Sequence, residues 1–239
     1  MAHPLDNPFW ASLTTSHAHL ALGNDRVKRY PAEFGPFVAV ADSRTPVERE
    51  LEELVAQGES VDVAGVGPPA FPHGWELLEH ANVLQMVCTR AIEVPKPVAQ
   101  WRVLAPQDRG AMIALTKLVY PGYFRARTNE MGQYLGIDPD GGIDPADGVA
   151  ANDGMLAAMA GERIATPQFI EVSGVCTHPK YLGRGYAGFL VSLLVNDILA
   201  RGFTPFLHVS EQNVRAIAIY ERLGFTTRAR IELWLLRKP

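Results

Sequence analysis

"THPKYLGRGYA", residues 177 to 187, sets two glycines around an arginine just ahead of a long apolar run. The strand-like segment Phe169 to Thr177 is ended by Pro179. From Gly185 to Leu199, the apolar residues Tyr186, Phe189, Leu190, Leu193, Leu194 and Ile198 recur at helical spacing, and Arg201-Gly202 closes the helix. The connection therefore delivers the chain to a helix start, where the first backbone N–H groups lack internal partners and carry the positive end of the helix dipole. That geometry attracts phosphate. Glycine lets the chain adopt φ > 0 and lets anionic oxygens approach the backbone. Taken alone, Gly-x-Gly before a helix is a weak signal.

Competing phosphate motifs fail on spelling or context. The chain has no Gly-x4-Gly-Lys-Ser/Thr, which excludes a P-loop. Gly183-x-Gly185-x-x-Gly188 does spell the dinucleotide fingerprint, but that motif belongs to the first strand of a βαβ unit and this one lies near the C-terminus.

The flanking segments define a layered domain. Downstream, Thr204 to Val209 reads as a strand, Val214 to Leu223 as a helix capped by Asn213 and followed by Gly224, and Ile231 to Leu236 as a strand. Upstream, Trp101 to Leu104 reads as a strand and Asp108 to Tyr120 as a helix with Met112, Leu115, Leu118 and Val119 on one face. Asn152-Asp153-Gly154 signals a hairpin turn leading into Met155 to Ala160, with Gly161-Glu162 turning the chain again. The acidic stretch Asp138 to Gly148 puts Gly142 and Ile143 where a calcium loop needs Asp or Asn and then Gly, so it reads as a solvated loop and no metal is expected. Strand, loop, helix, strand, helix, strand is an α/β or α+β layer order.

Residues 1 to 95 carry a helix from Thr45, with Pro46 at its first position and Glu48 completing a capping box, and strands at Phe37 to Val40, Val61 to Val66 and Val83 to Thr89. Gly67 to Pro72 is a proline-rich loop. Nothing in this half suggests chemistry. The proline-flanked link Val94-Pro95-Lys96-Pro97 divides the chain into an N-terminal α/β half, 1 to 95, and a second domain, 98 to 239.

Composition narrows the partners. The chain has 239 residues and a net charge of −4 with no basic stripe, which argues against nucleic acid. Cys88 and Cys176 lie in apolar runs and read as reduced core thiols. The N-terminus lacks a signal-peptide pattern, and the apolar run from Gly188 to Ala200 is too short and too polar to span a bilayer. A soluble cytoplasmic protein without membrane contact is expected.

The decisive second constellation is "NVRAIAIYERLGF", residues 213 to 225, which follows the loop at a distance of about thirty residues. The two together resemble the GNAT superfamily of acyl-CoA-dependent N-acetyltransferases over about Trp101 to Arg237. The chain looks most similar to the glycine N-acyltransferase-like branch, whose members have an additional N-terminal half. The resemblance implies a mixed, mostly antiparallel central sheet flanked by helices. The family's Gln/Arg-x-x-Gly-x-Gly/Ala loop matches Leu182, Gly183, Arg184, Gly185, Tyr186 and Ala187, with Leu182 standing where Gln or Arg is usual. That departure affects a side-chain contact, since the loop binds the CoA pyrophosphate largely through backbone N–H groups.

The resemblance also implies roles. Val175, Cys176 and Thr177 would run along the pantetheine arm of acetyl-CoA, with the Val175 N–H polarising the thioester oxygen. Asn213 would contact CoA while capping its helix. Glu171, fourteen residues before Gly185, stands where many members carry a general base, with Glu211 and His208 as runners-up. Tyr220 matches the tyrosine that protonates the CoA sulfur. Lys180, Arg184 and Arg215 are candidates for the adenosine phosphates. Tyr120, Tyr123, Phe124 and the residues up to Tyr134 would either shape the acceptor pocket or fill the core. The implied activity is acetyl transfer from acetyl-CoA to a primary amine of a small molecule, in a ternary complex. The alternative is a CoA-binding sensor or assembly module without turnover. Residues 1 to 95 are open to two readings, a degenerate second copy of the half-fold or a dimerisation element that would make a homodimer.

Overall fold

The computed structural model describes residues 3–96, 99–139 and 155–239. The expected hairpin turn at Asn152-Asp153-Gly154, Pro97 of the link, and the acidic stretch beyond Pro139 lie outside these residues.

Alternating or continuous apolar runs make the strands, and their order in chain sequence interleaves the two halves. The helix α1 (Pro8–Thr14) precedes strands β1 (Leu22–Gly23), β2 (Val27–Arg29) and β3 (Phe37–Val40). Next come α2 (Glu48–Leu54), β4 (Ser60–Ala64) and β5 (Glu76–Val87). The rest runs β6 (Arg102–Val103), α3 (Arg109–Val119), β7 (Tyr134–Ile137), β8 (Ala158–Ala165), β9 (Phe169–Thr177), α4 (Tyr186–Ala200), β10 (Thr204–Ser210), α5 (Val214–Arg222) and β11 (Thr226–Arg237).

All these strands join one sheet, ordered β1-β2-β3-β4-β11-β5-β10-β9-β8-β7-β6. Every neighbouring pair is antiparallel except β3 with β4 and β9 with β10. β5, which belongs to the first 95 residues, lies between β10 and β11, so the two halves separated by the proline link share a sheet. Successive residues of β10 serve opposite layers. Phe206 belongs to the core cluster that holds Phe9 and Leu13 of α1, whereas Leu207 belongs to the one that holds Phe189, Leu190 and Leu194 of α4. The face that carries α1 later proves to be the one that holds the polar chemistry.

Three local expectations are corrected. The capping box at Thr45 does not form, because the Asp42 carboxylate accepts from the Arg44 and Thr45 N–H groups and from the Thr45 hydroxyl. α2 then starts at Glu48, with Val47 at its cap position. Gly161-Glu162 is no turn, since β8 runs straight through it and Gly161 pairs with Tyr134. β5 begins at Glu76, seven residues before the expected Val83, because long pairing with β11 holds its exposed start. Cys88 and Cys176 are both buried free thiols, as expected. Among the described residues, no helix is long and apolar enough to cross a membrane.

A Cβ at Gly161 would overlap the Tyr134 ring, so the glycine is there for close packing. Gly161→Ala is expected to lower unfolding stability by about 1–3 kcal/mol through overpacking. A urea midpoint unchanged from wild type would remove this reading of Gly161.

Candidate functional site

The glycine loop is built by three successive local decisions. Pro179–Tyr181 forms a single 3-10 turn, in which the His178 ring accepts from the Lys180 N–H at 3.2 Å. Gly183 and Gly185 both sit at φ +79°, a left-handed backbone that a side chain would strain. Gly185 is the cap residue of α4, so the free N–H groups of the first helical turn face the loop. Further on, Asn213 caps α5, its side-chain oxygen accepting from the Ala216 N–H at 3.1 Å.

Between these two helix starts the sheet forks. β9 pairs with β10 only where Phe169, Ile170 and Glu171 meet Thr204, Pro205 and Phe206; beyond that the strands part, and β10 continues against β5. β9 is also bulged, with Gly174 at φ +64° and the register against β8 slipping between Met159 and Gly161. The fork opens into two cavities. The larger, about 630 Å³, is lined by Val175, Cys176, Thr177, Leu182, Gly183, Gly185, Tyr186, Ala187, Asn213 and Tyr220, with Arg215 beside them. The smaller, about 330 Å³, is lined by Tyr120, Tyr123, Arg163, Ser173, Gly174 and His208, and also by Phe9, Phe37, Ala64 and Val83 of the N-terminal half. Val175, Asn213, Ala216 and Tyr220 belong to both walls.

Most of the residues singled out in the sequence thus converge on one groove. Arg184 is outside the cavity walls, its guanidinium 4.9 Å from the centre of the Tyr181 ring, and Lys180 is outside them too. Glu211 is held by Arg230 on the surface, at 2.6 and 2.5 Å, and lines neither cavity. The aromatic segment divides. Tyr120 and Tyr123 face the smaller cavity, while Phe124 and Tyr134 pack edge to face in the core, 5.6 Å apart. Burial pushes the Tyr220 phenol up to about 12, so it is protonated at neutral pH.

Glu171 is 1% exposed and lies behind the smaller cavity rather than in its wall. Arg163, eight residues earlier on β8, donates to both of its oxygens at 2.8 Å, and His208 Nδ1 lies 2.8 Å from Oε1. Burial alone would raise this carboxyl, but the Arg163 charge and the hydrogen bonds from Arg163 and His208 outweigh it and hold the group down to about 2. A carboxylate in that state has negligible affinity for a proton at neutral pH, so this geometry does not supply the general base expected at Glu171.

The network also assigns the His208 tautomer. Gln85 Oε1 accepts from Arg228 at 2.8 Å and Gln85 Nε2 donates to the Leu5 carbonyl at 2.9 Å, because an arginine can only donate and a carbonyl only accept. The second amide N–H of Gln85 then points at His208 Nε2, 3.1 Å away. His208 therefore carries its proton on Nδ1, toward Glu171. Arg163 and Gln85 are the residues that sequence reasoning missed. The one cue was the i to i+8 spacing of Arg163 and Glu171 across two adjacent strands; nothing local marks Gln85.

The chain is similar in sequence and fold to known proteins. The FR47-like protein family model matches residues 148–235. A solved structure assigned to the GNAT family, from Novosphingobium aromaticivorans DSM 12444, is 32% identical, covers 100% of both chains and superposes with a TM-score of 0.84. A GCN5-related N-acetyltransferase from Kribbella flavida shares the fold at 16% identity, with a TM-score of 0.56 over 92% of this chain and 89% of its own. An acetyltransferase from Yersinia pestis (strain Pestoides F) is 40% identical over 57 residues, which is 23% of this chain. The match spans 40% of that relative's length.

Removing one partner of a buried ion pair leaves the other uncompensated, so Glu171→Gln is expected to cost about 3–5 kcal/mol. The folded carboxyl titrates below its ordinary 4.5, so its contribution is fully present above pH 4.5 and is lost as pH falls toward 2. The stability gap between wild type and Glu171→Gln should accordingly narrow across that window in denaturant titrations. A gap that is constant with pH would mean Glu171 is not held ionised.

Proposed function

The chain belongs to the GNAT family, and from that membership we propose that it transfers an acetyl group from acetyl-CoA to a primary amine of a small molecule. The observation that carries the reading is the pair of cavities meeting at Val175, Asn213, Ala216 and Tyr220. The larger takes acetyl-CoA, with its pyrophosphate on the N–H groups of Gly183 to Ala187 and its pantetheine arm along Val175, Cys176 and Thr177. Those strand residues border the fork, where β9 has no β10 partner. The smaller receives the amine. Leu182, 52% exposed at the groove, leaves the backbone donors in place.

In this reading the amine nitrogen attacks the thioester carbon, whose oxygen is polarised by the Val175 N–H. The C–N bond forms, the C–S bond breaks, and the departing thiolate takes a proton from Tyr220. Before the attack the ammonium proton goes to His208 Nε2, which exchanges its Gln85 contact for the substrate, and after it the second proton shed by the nitrogen restores the Tyr220 phenol. The resulting imidazolium is steadied by the fixed charge of Glu171. Glu171 is then a positioning residue. Residues 1–95 contribute the outer wall of the acceptor pocket through Phe9, Phe37, Ala64 and Val83. A place in the glycine N-acyltransferase-like branch belongs to the same proposal, supported by that additional half.

Incubation with acetyl-CoA, a panel of primary amines and a thiol reagent should show CoA release. Tyr220→Phe and His208→Ala should each slow it by about 10²-fold. Gly185→Glu, which places a side chain and a negative charge in a left-handed cap, should weaken acetyl-CoA binding at least about tenfold, a cost near 1.4 kcal/mol. Acetyl-CoA binding in a calorimeter with no release for any amine would point to the non-catalytic module. Unchanged rates in both variants would refute the assigned roles.

A further inference from the structure

Two carboxyl groups stand in the sheet one row beyond the floor of the acceptor pocket. On the sheet face beneath the smaller cavity, three cross-strand rows can be read from the register. Val83 of β5 faces Ile231 of β11. Ala81, Leu233 and Ala64 make the next row across β5, β11 and β4, and Glu79, Leu235 and Asp62 make the third. Phe37 of β3 stands beside Asp62 in that third row. Val83, Ile231, Leu233, Ala64 and Phe37 all line the cavity, which fixes this as the cavity side. Ala64 and Ala81 of the middle row are short, Leu233 lies between them, and the two acids stand one row behind the cavity wall.

Asp62 is 1% exposed, and its Oδ1 has no hydrogen-bond partner. Isolated ionised carboxyls are costly to bury and are retained only where something compensates them. Arg163, which lines the pocket, is already bound to both oxygens of Glu171. Tyr123, stacked 6.3 Å from Phe37, roofs this end of the pocket; burial raises its phenol, and the charges of Asp62 and Glu79 raise it further. Burial lifts Asp62 to about 7 against the pull of Arg163 and Arg125, and Glu79 pushes the same way as burial.

We propose that Asp62, assisted by Glu79, is the specificity anchor of the acceptor pocket and selects an amine that carries a second cationic group. The reacting amine approaches Val175 and Tyr220, while the second ammonium group reaches past Ala64 and Ala81 to the buried, unpartnered Oδ1 of Asp62 and donates to it. The substrate thereby supplies the partner that the fold withholds. An apolar tail of equal length would leave the carboxyl unpaired and is discriminated against. This inference rests on the acceptor assignment made above.

The test compares 1,5-diaminopentane with n-pentylamine. In CoA-release assays with acetyl-CoA, the wild type should prefer the diamine by at least about tenfold in kcat/KM, and Asp62→Asn should bring the ratio near unity. Glu79→Gln, at an exposed strand position, should reduce the ratio in part and serves if Asp62→Asn does not fold. In parallel, calorimetry of the CoA-saturated protein should detect diaminopentane binding that Asp62→Asn weakens about tenfold. Equal use of both amines by wild type, a ratio that survives both substitutions, or no diamine binding to wild type would each overturn the proposal. Diamine binding lost on substitution, with no CoA release for any amine, would uphold the anchor and sink the transferase reading. Release confined to monoamines would do the reverse.

Discussion

A buried charge at the vertex of a fork governs this molecule. β9 and β10 leave each other just after Glu171 meets Phe206, and the clamp sits at that point, with Arg163 reaching from β8 and His208 from β10 two residues further on. Strands that part expose backbone groups which must find partners. An ionised carboxylate bound on both oxygens fixes where the parting starts, so the opening has a defined width and the groups lining it a defined direction. The two cavities, the shared wall between them and the tautomer of His208 all follow from that vertex.

The second constraint is that the sheet is shared. β11 lies between β4 and β5, and β5 between β11 and β10, so residues of the first hundred complete what the later residues begin. The larger cavity is assembled almost wholly from residue 175 onward, apart from Pro95 and Val119, whereas the smaller one also draws on α1, β3, β4 and β5. Glycines and helix starts thus stay with one segment of chain, while Phe9, Phe37, Ala64 and Val83 of the other close one side of the smaller cavity.

Legibility in the sequence follows the range of the interactions. β9 was readable to the residue, and α4 and α5 nearly so, because helical spacing, a cap at Asn213 and left-handed glycines at 183, 185 and 224 are local signals. The groove residues followed from the same signals. Thr45 misled because Asp42, three residues earlier, takes up the Thr45 N–H and hydroxyl. Gly161 misled because a glycine that admits an aromatic ring looks like one that turns the chain. Glu171 was found as a residue but not as a charge state, since Arg163 and His208 set that state from two other strands. The N-terminal half looked chemically silent for the same reason. An aspartate in "VDVAG" gains significance only once its cross-strand neighbours are known.

The central placement of β5 has a consequence for how the chain reaches this structure. Its two partners, residues 204–210 and 226–237, are synthesised more than a hundred residues later. Until they arrive, a twelve-residue strand carrying Leu77, Leu78, Val83 and Leu84 has both edges unpaired. Such non-local closure is slow, and the waiting strand is a template for pairing with other chains. The charges at Glu76 and Glu79 lie in that strand, where they discourage association during the delay.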